Sequence, residues 1–349
     1  MPLISDPIQT REILQEVREL GIAMPAFCAE DERTQECILA GTLAKAGETG
    51  VPDLPVIVAC TVNYPPRGQM KLYTYSGEYR FGLRCFFGYL ESLTSDVSPY
   101  KDLRVLPCLD HGFPWLDDYG LTECADRFSM VMHDASERPF EENIKSTAEY
   151  VERMGDKVVV EGCVDEIVES GAAAGEEITT VEKAHRFMSE TGVDLIVANL
   201  GTEHRATLAE KRYRSDRAAE ISAALGRILV LHGTSCLKDE DLPKLAEDGI
   251  VKVNIYTILA RMGGQAVARH ILNDLGNVFT KDQLMELADE GYVGSRYFTP
   301  EYAEERCHGK IGPKLDNVAE TPRRNAWIDC VKQQIKYYLD IFGYDKFTG

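Results

Sequence analysis

Three of the seven histidines, His111, His204 and His232, stand just beyond short apolar runs, and two of them are followed directly by glycine. One histidine in such a place reads most simply as a polar cap on a strand. Three in equivalent places suit a catalytic zinc, which commonly takes three protein ligands and keeps one position open. Carboxylates accompany them: Asp110 precedes His111, Asp134 follows His133, and Glu161 ends the run Val158-Val159-Val160. A zinc ion beside a carboxylate base can polarise a carbonyl or activate water, so lyase and hydrolase chemistry are both open here. His185, His270 and His308 lie in patterns that suggest no such role, and His133 is expected to point into the barrel.

Small and hydroxyl residues follow the last of these histidines. Gly233-Thr234-Ser235, and then Thr257 after Asn254, stand where helices begin. Backbone N–H groups there can hold a phosphate, assisted by the helix dipole. The same residue types also make ordinary turns and N-caps.

Such residues act together only if the chain positions them. Eight apolar, β-branched segments are expected as strands: 23–27, 56–61, 103–110, 128–133, 157–163, 195–200, 228–232 and 251–254. Amphipathic stretches separate them, including 10–19, 141–153, 181–190, 218–225 and 239–247. Strict alternation and a count of eight point to an α/β protein, a (β/α)8 TIM barrel, in which chemistry sits at the C-terminal strand ends. All three histidines and Asp110 fall at such ends, and the glycine and hydroxyl residues follow strands seven and eight. No G-x-G-x-x-G follows the first strand, which removes the main support for a dinucleotide fold. Residues 62–102 form a long, aromatic, helix-bearing excursion after strand 2, expected to pack on the barrel or on a second subunit. Residues 290–349 form a C-terminal helical extension, with 327–342 helical, and the loop 164–178 has the Glu, Gly and Ala content of a mobile lid. No long linker breaks the chain, so 1–349 is read as one domain.

The chain has 349 residues and a net charge of −19, which disfavours nucleic acid as a partner. No apolar run is long enough to span a membrane, and the N-terminus lacks the pattern of a signal peptide. The ten cysteines show no CxxC pair and sit in apolar runs, as reduced core thiols of a cytoplasmic protein.

Several segments, in order, resemble the zinc-dependent class II fructose-bisphosphate and tagatose-bisphosphate aldolases. They are Leu109-Asp110-His111-Gly112, Val131-Met132-His133-Asp134-Ala135-Ser136, Phe140-Glu141-Glu142-Asn143-Ile144 and Val160-Glu161-Gly162. Gly201-Thr202-Glu203-His204, Leu231-His232-Gly233-Thr234-Ser235 and Lys252-Val253-Asn254-Ile255 follow. The resemblance implies His111, His204 and His232 as zinc ligands, with Glu161 and Asp134 as carboxylates at or behind the metal. One catalytic Zn2+ is implied, with room for a second metal or a monovalent cation. Asp110 corresponds to the residue that moves the C4 hydroxyl proton, and Asn254 to the one that holds the enediolate. Gly233, Ser235, Thr257 and Thr61 correspond to phosphate contacts, and Arg323 to a phosphate-binding arginine region. Glu166 or Glu169 in the 164–178 loop is the expected proton donor.

The family pattern also has departures here. Arg205 follows His204 where the family has glycine, and Tyr256 stands where it commonly has aspartate. Both lie where substrate is held, which puts the identity of the sugar phosphate in question. The expected substrate is a small phosphorylated sugar such as fructose 1,6-bisphosphate, and the expected assembly a homodimer or higher homo-oligomer. A related aldolase with another sugar phosphate, a metal-dependent hydrolase and a noncatalytic metal-binding barrel are the alternatives.

Overall fold

A computed structural model of the chain describes residues 3–167, 178–203 and 213–348. Eight parallel strands close into a barrel in sequence order. They are β1 (Met24–Cys28), β2 (Pro55–Cys60), β3 (Arg104–Gly112), β4 (Met130–His133), β5 (Val159–Cys163), β6 (Leu195–Val197), β7 (Leu229–Leu231) and β8 (Ile250–Ile255). All eight expected strands are present. β3 runs two residues further than expected and so carries His111 within the strand. β6 stops at Val197 because the chain turns away: Thr179 Oγ1 takes the N–H of Asn199, and Gly201 turns at φ +82°.

Helices cover the barrel: α1 (Pro7–Leu20), α2 (Glu32–Thr49), α3 (Gln69–Leu72), α4 (Tyr79–Leu93), α5 (Phe140–Met154), α6 (Val181–Thr191), α7 (Ser215–Leu225) and α8 (Lys244–Glu247); α9 (Thr257–Val278) follows β8. Their starts are written in the sequence. Asp6, Asp31 and Thr180 accept N–H bonds from the first turns of α1, α2 and α6, the usual N-cap arrangement. α8 is half the length expected because Pro243 stands at its start and has no N–H to continue a helix from 239.

α1 covers the N-terminal end of the barrel. Arg11 binds Asp194 ahead of β6 at 2.7 Å, and Arg18 donates to the Arg227 carbonyl ahead of β7 at 2.8 Å. The 62–102 excursion is helical, as expected, and packs on the barrel's own helices. Gln35 on α2 donates to the Phe86 carbonyl on α4, and Phe87 meets Phe128 with ring centroids 4.8 Å apart.

Beyond β8 the chain forms a second compact unit, Leu259–Gln333, before Gln334–Gly349 rejoin the first. The second unit contains most of α9, α10 (Lys281–Asp289), α11 (Pro300–Cys307), α12 (Leu315–Val318) and the start of α13 (Thr321–Ile341). Its core gathers Leu275, Leu284, Tyr297, Tyr302 and Cys307. Thr280 and Gln283 form a capping box at the start of α10. Among the described residues no helix is long and apolar enough to cross a membrane.

Candidate active site and metal centre

Side chains alternate along a strand, so every second residue of β3, β5 and β8 faces the barrel axis. The contacts show which set does. Lys252 on β8 reaches Glu161 on β5 at 2.9 Å, with two strands between them on the sheet. Both therefore point inward, and neither is exposed. Two residues further along β8, Asn254 faces inward again and donates from Nδ2 to Asp110 Oδ1 at 2.8 Å. Cys28, the last residue of β1, donates its thiol to the other oxygen, Oδ2, at 3.3 Å. The barrel interior thus holds a charged layer, Glu161 and Lys252, below a layer of Asp110, Asn254 and Cys28.

Asp110, His111 and His232 offer ligand atoms that all lie within 4.8 Å of one another, and all three residues are buried. The two imidazoles meet edge to face with centroids 4.8 Å apart. His111 has φ +48°, unusual for a residue with a Cβ. This backbone turn at the end of β3 puts Asp110 and His111, neighbours in sequence, into one cluster. Tyr64 stacks on the His111 ring with centroids 4.6 Å apart.

Asp134, just after β4, approaches His111 Nδ1 to 2.7 Å through Oδ2 and takes the Ser136 hydroxyl and N–H on Oδ1. Burial pushes this carboxyl up, but the bonds from His111 and Ser136 outweigh it and hold it below the usual range. A carboxylate bonded to Nδ1 fixes the ring and directs Nε2 outward, as carboxylates do behind metal-ligating histidines. Two histidines, one ring oriented from behind, with the Asp110 carboxylate beside them, fit a divalent metal ion.

Burial raises the Glu161 carboxyl while its Lys252 partner lowers it, the net direction being up. Its Oε1 is buried and has no hydrogen bond among the described residues. Asn254 Oδ1 is in the same position.

A cleft enclosing about 570 Å³, space open to solvent included, lies above this cluster. Gly233, Ser235, Asn254 and Thr257 line it, as does Thr61. Gly233 adopts φ +74°, and a Cβ there would come within 2.7–2.9 Å of the Glu203 backbone. Ser235 lies on a 3-10 turn, Thr234–Cys236, and Thr257 begins α9. Thr61 is occupied locally: its hydroxyl donates to the Arg67 carbonyl at 2.7 Å and accepts the Gln69 N–H. It therefore shapes the loop after β2.

His204, Arg205 and Glu169 lie outside the described residues, as do residues 168–177 of the 164–178 loop. Glu166, at the edge of that segment, is exposed. Arg323 belongs to the second unit, where it bonds Glu320 and the carbonyls of Asn317 and Val318. His133 does not point into the barrel. It faces α5, bonded to Thr147 at 3.1 Å and stacked on Tyr150. Burial pushes its pKa down to about 4.

Sequence reasoning missed Cys28, Tyr64, Arg67 and Lys252. Lys252 left a signal, since one lysine in Ile250-Val251-Lys252-Val253 and one glutamate after three valines are complementary charges in buried strands. Arg67, in the loop after β2, left none. It binds Glu30 through Nε and Nη2, both at 2.6 Å, and Glu30 also accepts the Tyr256 hydroxyl at 2.7 Å. Tyr256 is therefore tied to the Arg67–Glu30 ion pair at the edge of the cleft.

Comparison with known proteins agrees with this geometry. The family described as "Fructose-bisphosphate aldolase class-II" matches residues 8–295. A 6-phospho-5-dehydro-2-deoxy-D-gluconate aldolase of Shouchella clausii is 39% identical over 184 residues, 52% of this chain, and that match spans 61% of the relative's length. A D-tagatose-1,6-bisphosphate aldolase subunit of Klebsiella oxytoca is 28% identical over 72% of this chain and 82% of its own. In three dimensions, the fructose-bisphosphate aldolase of Campylobacter jejuni superposes with a TM-score of 0.69 at 16% identity, over 95% of this chain and 93% of that one. The YdjI aldolase of Escherichia coli does so with a TM-score of 0.62 at 19% identity, over 97% and 98%. The family match takes in every strand of the barrel and the whole metal cluster, and the chain belongs to the class II fructose-bisphosphate aldolase family.

Proposed function

We propose that the protein is a zinc-dependent aldolase that reversibly cleaves a ketose phosphate to dihydroxyacetone phosphate and an aldehyde. The observation that carries this reading is the meeting of Asp110, His111 and His232 at the barrel mouth, with Asn254 bonded to the same carboxylate.

His111 and His232, with His204 from beyond the described residues, are the proposed zinc ligands, and Asp134 orients His111. A zinc ion held there supplies a Lewis acid for the substrate's ketone oxygen. Gly233, Ser235 and Thr257, at the starts of helical turns, hold the phosphate through N–H and hydroxyl groups. Asp110 takes the C4 hydroxyl proton as the C3–C4 bond breaks, and the aldehyde leaves. Asn254 keeps Asp110 aimed through Nδ2, while Oδ1 is positioned to accept from a hydroxyl of the enediolate left behind. A glutamate of the 164–178 loop, Glu166 or Glu169, returns a proton to C3 and completes dihydroxyacetone phosphate. Glu161, held by Lys252, lies beneath the cluster, and the pair adds no net charge there. Arg205 and Arg323 remain proposed phosphate contacts, and a cytoplasmic homodimer is the proposed assembly.

The names of two relatives place different groups at the far end of the sugar, a carboxylate in the gluconate and a second phosphate in the tagatose bisphosphate. The test is cleavage of both compounds, reading dihydroxyacetone phosphate with a coupled dehydrogenase, before and after chelation and zinc add-back. Activity lost to chelator and restored by zinc supports the reading. Bound zinc with neither cleavage refutes it for these two substrates.

A further inference from the structure

We propose that Arg67 and Tyr256 form a receptor for a carboxylate at the aldehyde end of the substrate, and that Glu30 occupies it until substrate arrives. This rests on the aldolase reading and assigns the end of the sugar remote from the phosphate.

Position comes first. The elements around the mouth run β7, β8, β1, β2 in order. The phosphate loops follow β7 and β8. Asp110, which takes the C4 proton, faces Cys28 on β1 and Asn254 on β8. Carbons beyond C4 therefore run toward the loops after β1 and β2, which carry Glu30 and Arg67. Among the described residues lining the cleft, Arg67 is the one lysine or arginine.

Chemistry comes second. Glu30 receives Nε and Nη2 of Arg67 side by side, and the Tyr256 hydroxyl joins on Oε2. This is a planar, forked carboxylate site of the kind arginine provides, with a phenol as third donor. The protein's own carboxylate thus demonstrates what the site accepts. The guanidinium lies 5.7 Å from the Tyr256 ring centroid, which restrains it whichever carboxylate it holds. The ion pair is partly exposed, with Arg67 at 42% and Glu30 at 21%. Such pairs are weak in water and can exchange partners. Charge sets the preference: Arg67 and Glu30 sum to zero, so one cation serves one displaced anion. With Glu30 displaced but still charged, a bound carboxylate leaves one excess negative charge at this edge, and a phosphate dianion leaves two.

The experiment is condensation of dihydroxyacetone phosphate with three acceptors by the zinc-loaded full chain. They are malonic semialdehyde, glyceraldehyde and glyceraldehyde 3-phosphate, ending in a carboxylate, a hydroxyl and a phosphate. The semialdehyde is expected to have the highest kcat/KM. Its advantage over glyceraldehyde should fall on the order of tenfold in Arg67→Met, the scale of a lost charged hydrogen bond. Glu30→Gln should lower the semialdehyde KM by removing the competitor. A preference for the phosphate, or an unchanged ratio in Arg67→Met, overturns the proposal. If no acceptor reacts, the aldolase reading fails, and calorimetry still decides the receptor. The wild type should bind 6-phosphogluconate more tightly than sorbitol 6-phosphate, with the difference abolished in Arg67→Met. Equal affinities in the wild type refute it.

Discussion

Lys252 and Glu161 pair across the inside of the barrel, 2.9 Å apart, with no solvent at either side chain. Breaking a buried pair by removing one partner strands the other charge, at a cost of about 3–5 kcal/mol. Lys252→Met should lower the unfolding free energy of metal-stripped protein by that order in urea titrations. Adding Glu161→Gln should recover a large part, because no charge is left unpaired. Equal losses in single and double variants would show that the lysine acts through packing alone.

The metal cluster separates holding zinc from moving a proton. His232→Ala should lose bound zinc and activity together, read by elemental analysis and the coupled assay. Asp110→Asn should keep zinc and lose at least about a hundredfold in kcat, the scale of general-base catalysis. Asp134→Asn, which removes the carboxylate behind His111, should weaken zinc binding about 10–100-fold while the ligands remain.

Gly233, in the proposed phosphate loop, has no room for a side chain. Alanine there meets a left-handed backbone and the Glu203 main chain together. The strain alone costs about 1–2 kcal/mol. Gly233→Ala should raise KM for a phosphorylated ketose and lower thermal stability by a few degrees, with zinc content kept.

His133 gives the fold an acid limit. Its folded-state pKa is near 4, below the ordinary 6.5, so the unfolded chain takes the proton first as pH falls. The stability it contributes is complete above pH 6.5 and declines between 6.5 and about 4. That window is worth about 3 kcal/mol. Unfolding free energies at stepped pH should show the decline, and His133→Gln should flatten it. An identical slope in that variant would assign the decline to other groups.

The barrel was legible because strand and helix periods alternate through the first 255 residues, and burial on both faces makes parallel strands uniformly apolar. The places of His111 and His232 followed from that periodicity, since strand ends define the mouth. Chain direction was not legible in the same way. His133 is the last residue of β4 and His111 the last but one of β3, yet one faces α5 and the other the mouth, because β3 turns at His111 and β4 does not. Arg67 was hidden for another reason: loops obey no period, and its partners are 37 residues before it and 189 after it (67 − 30 and 256 − 67). Cys28 looked like one more core thiol, and only its contact with Asp110 distinguishes it.

The left-handed backbone at His111 constrains the protein's descent as well as its chemistry. A side chain at φ +48° is tolerated at low cost only by glycine, asparagine and aspartate, with histidine less readily. A lineage that gave up the metal would be free to change the imidazole but not the turn. Its replacements at this position should be Asn, Asp or Gly, and a β-branched residue there should mark a barrel whose third strand has been rebuilt.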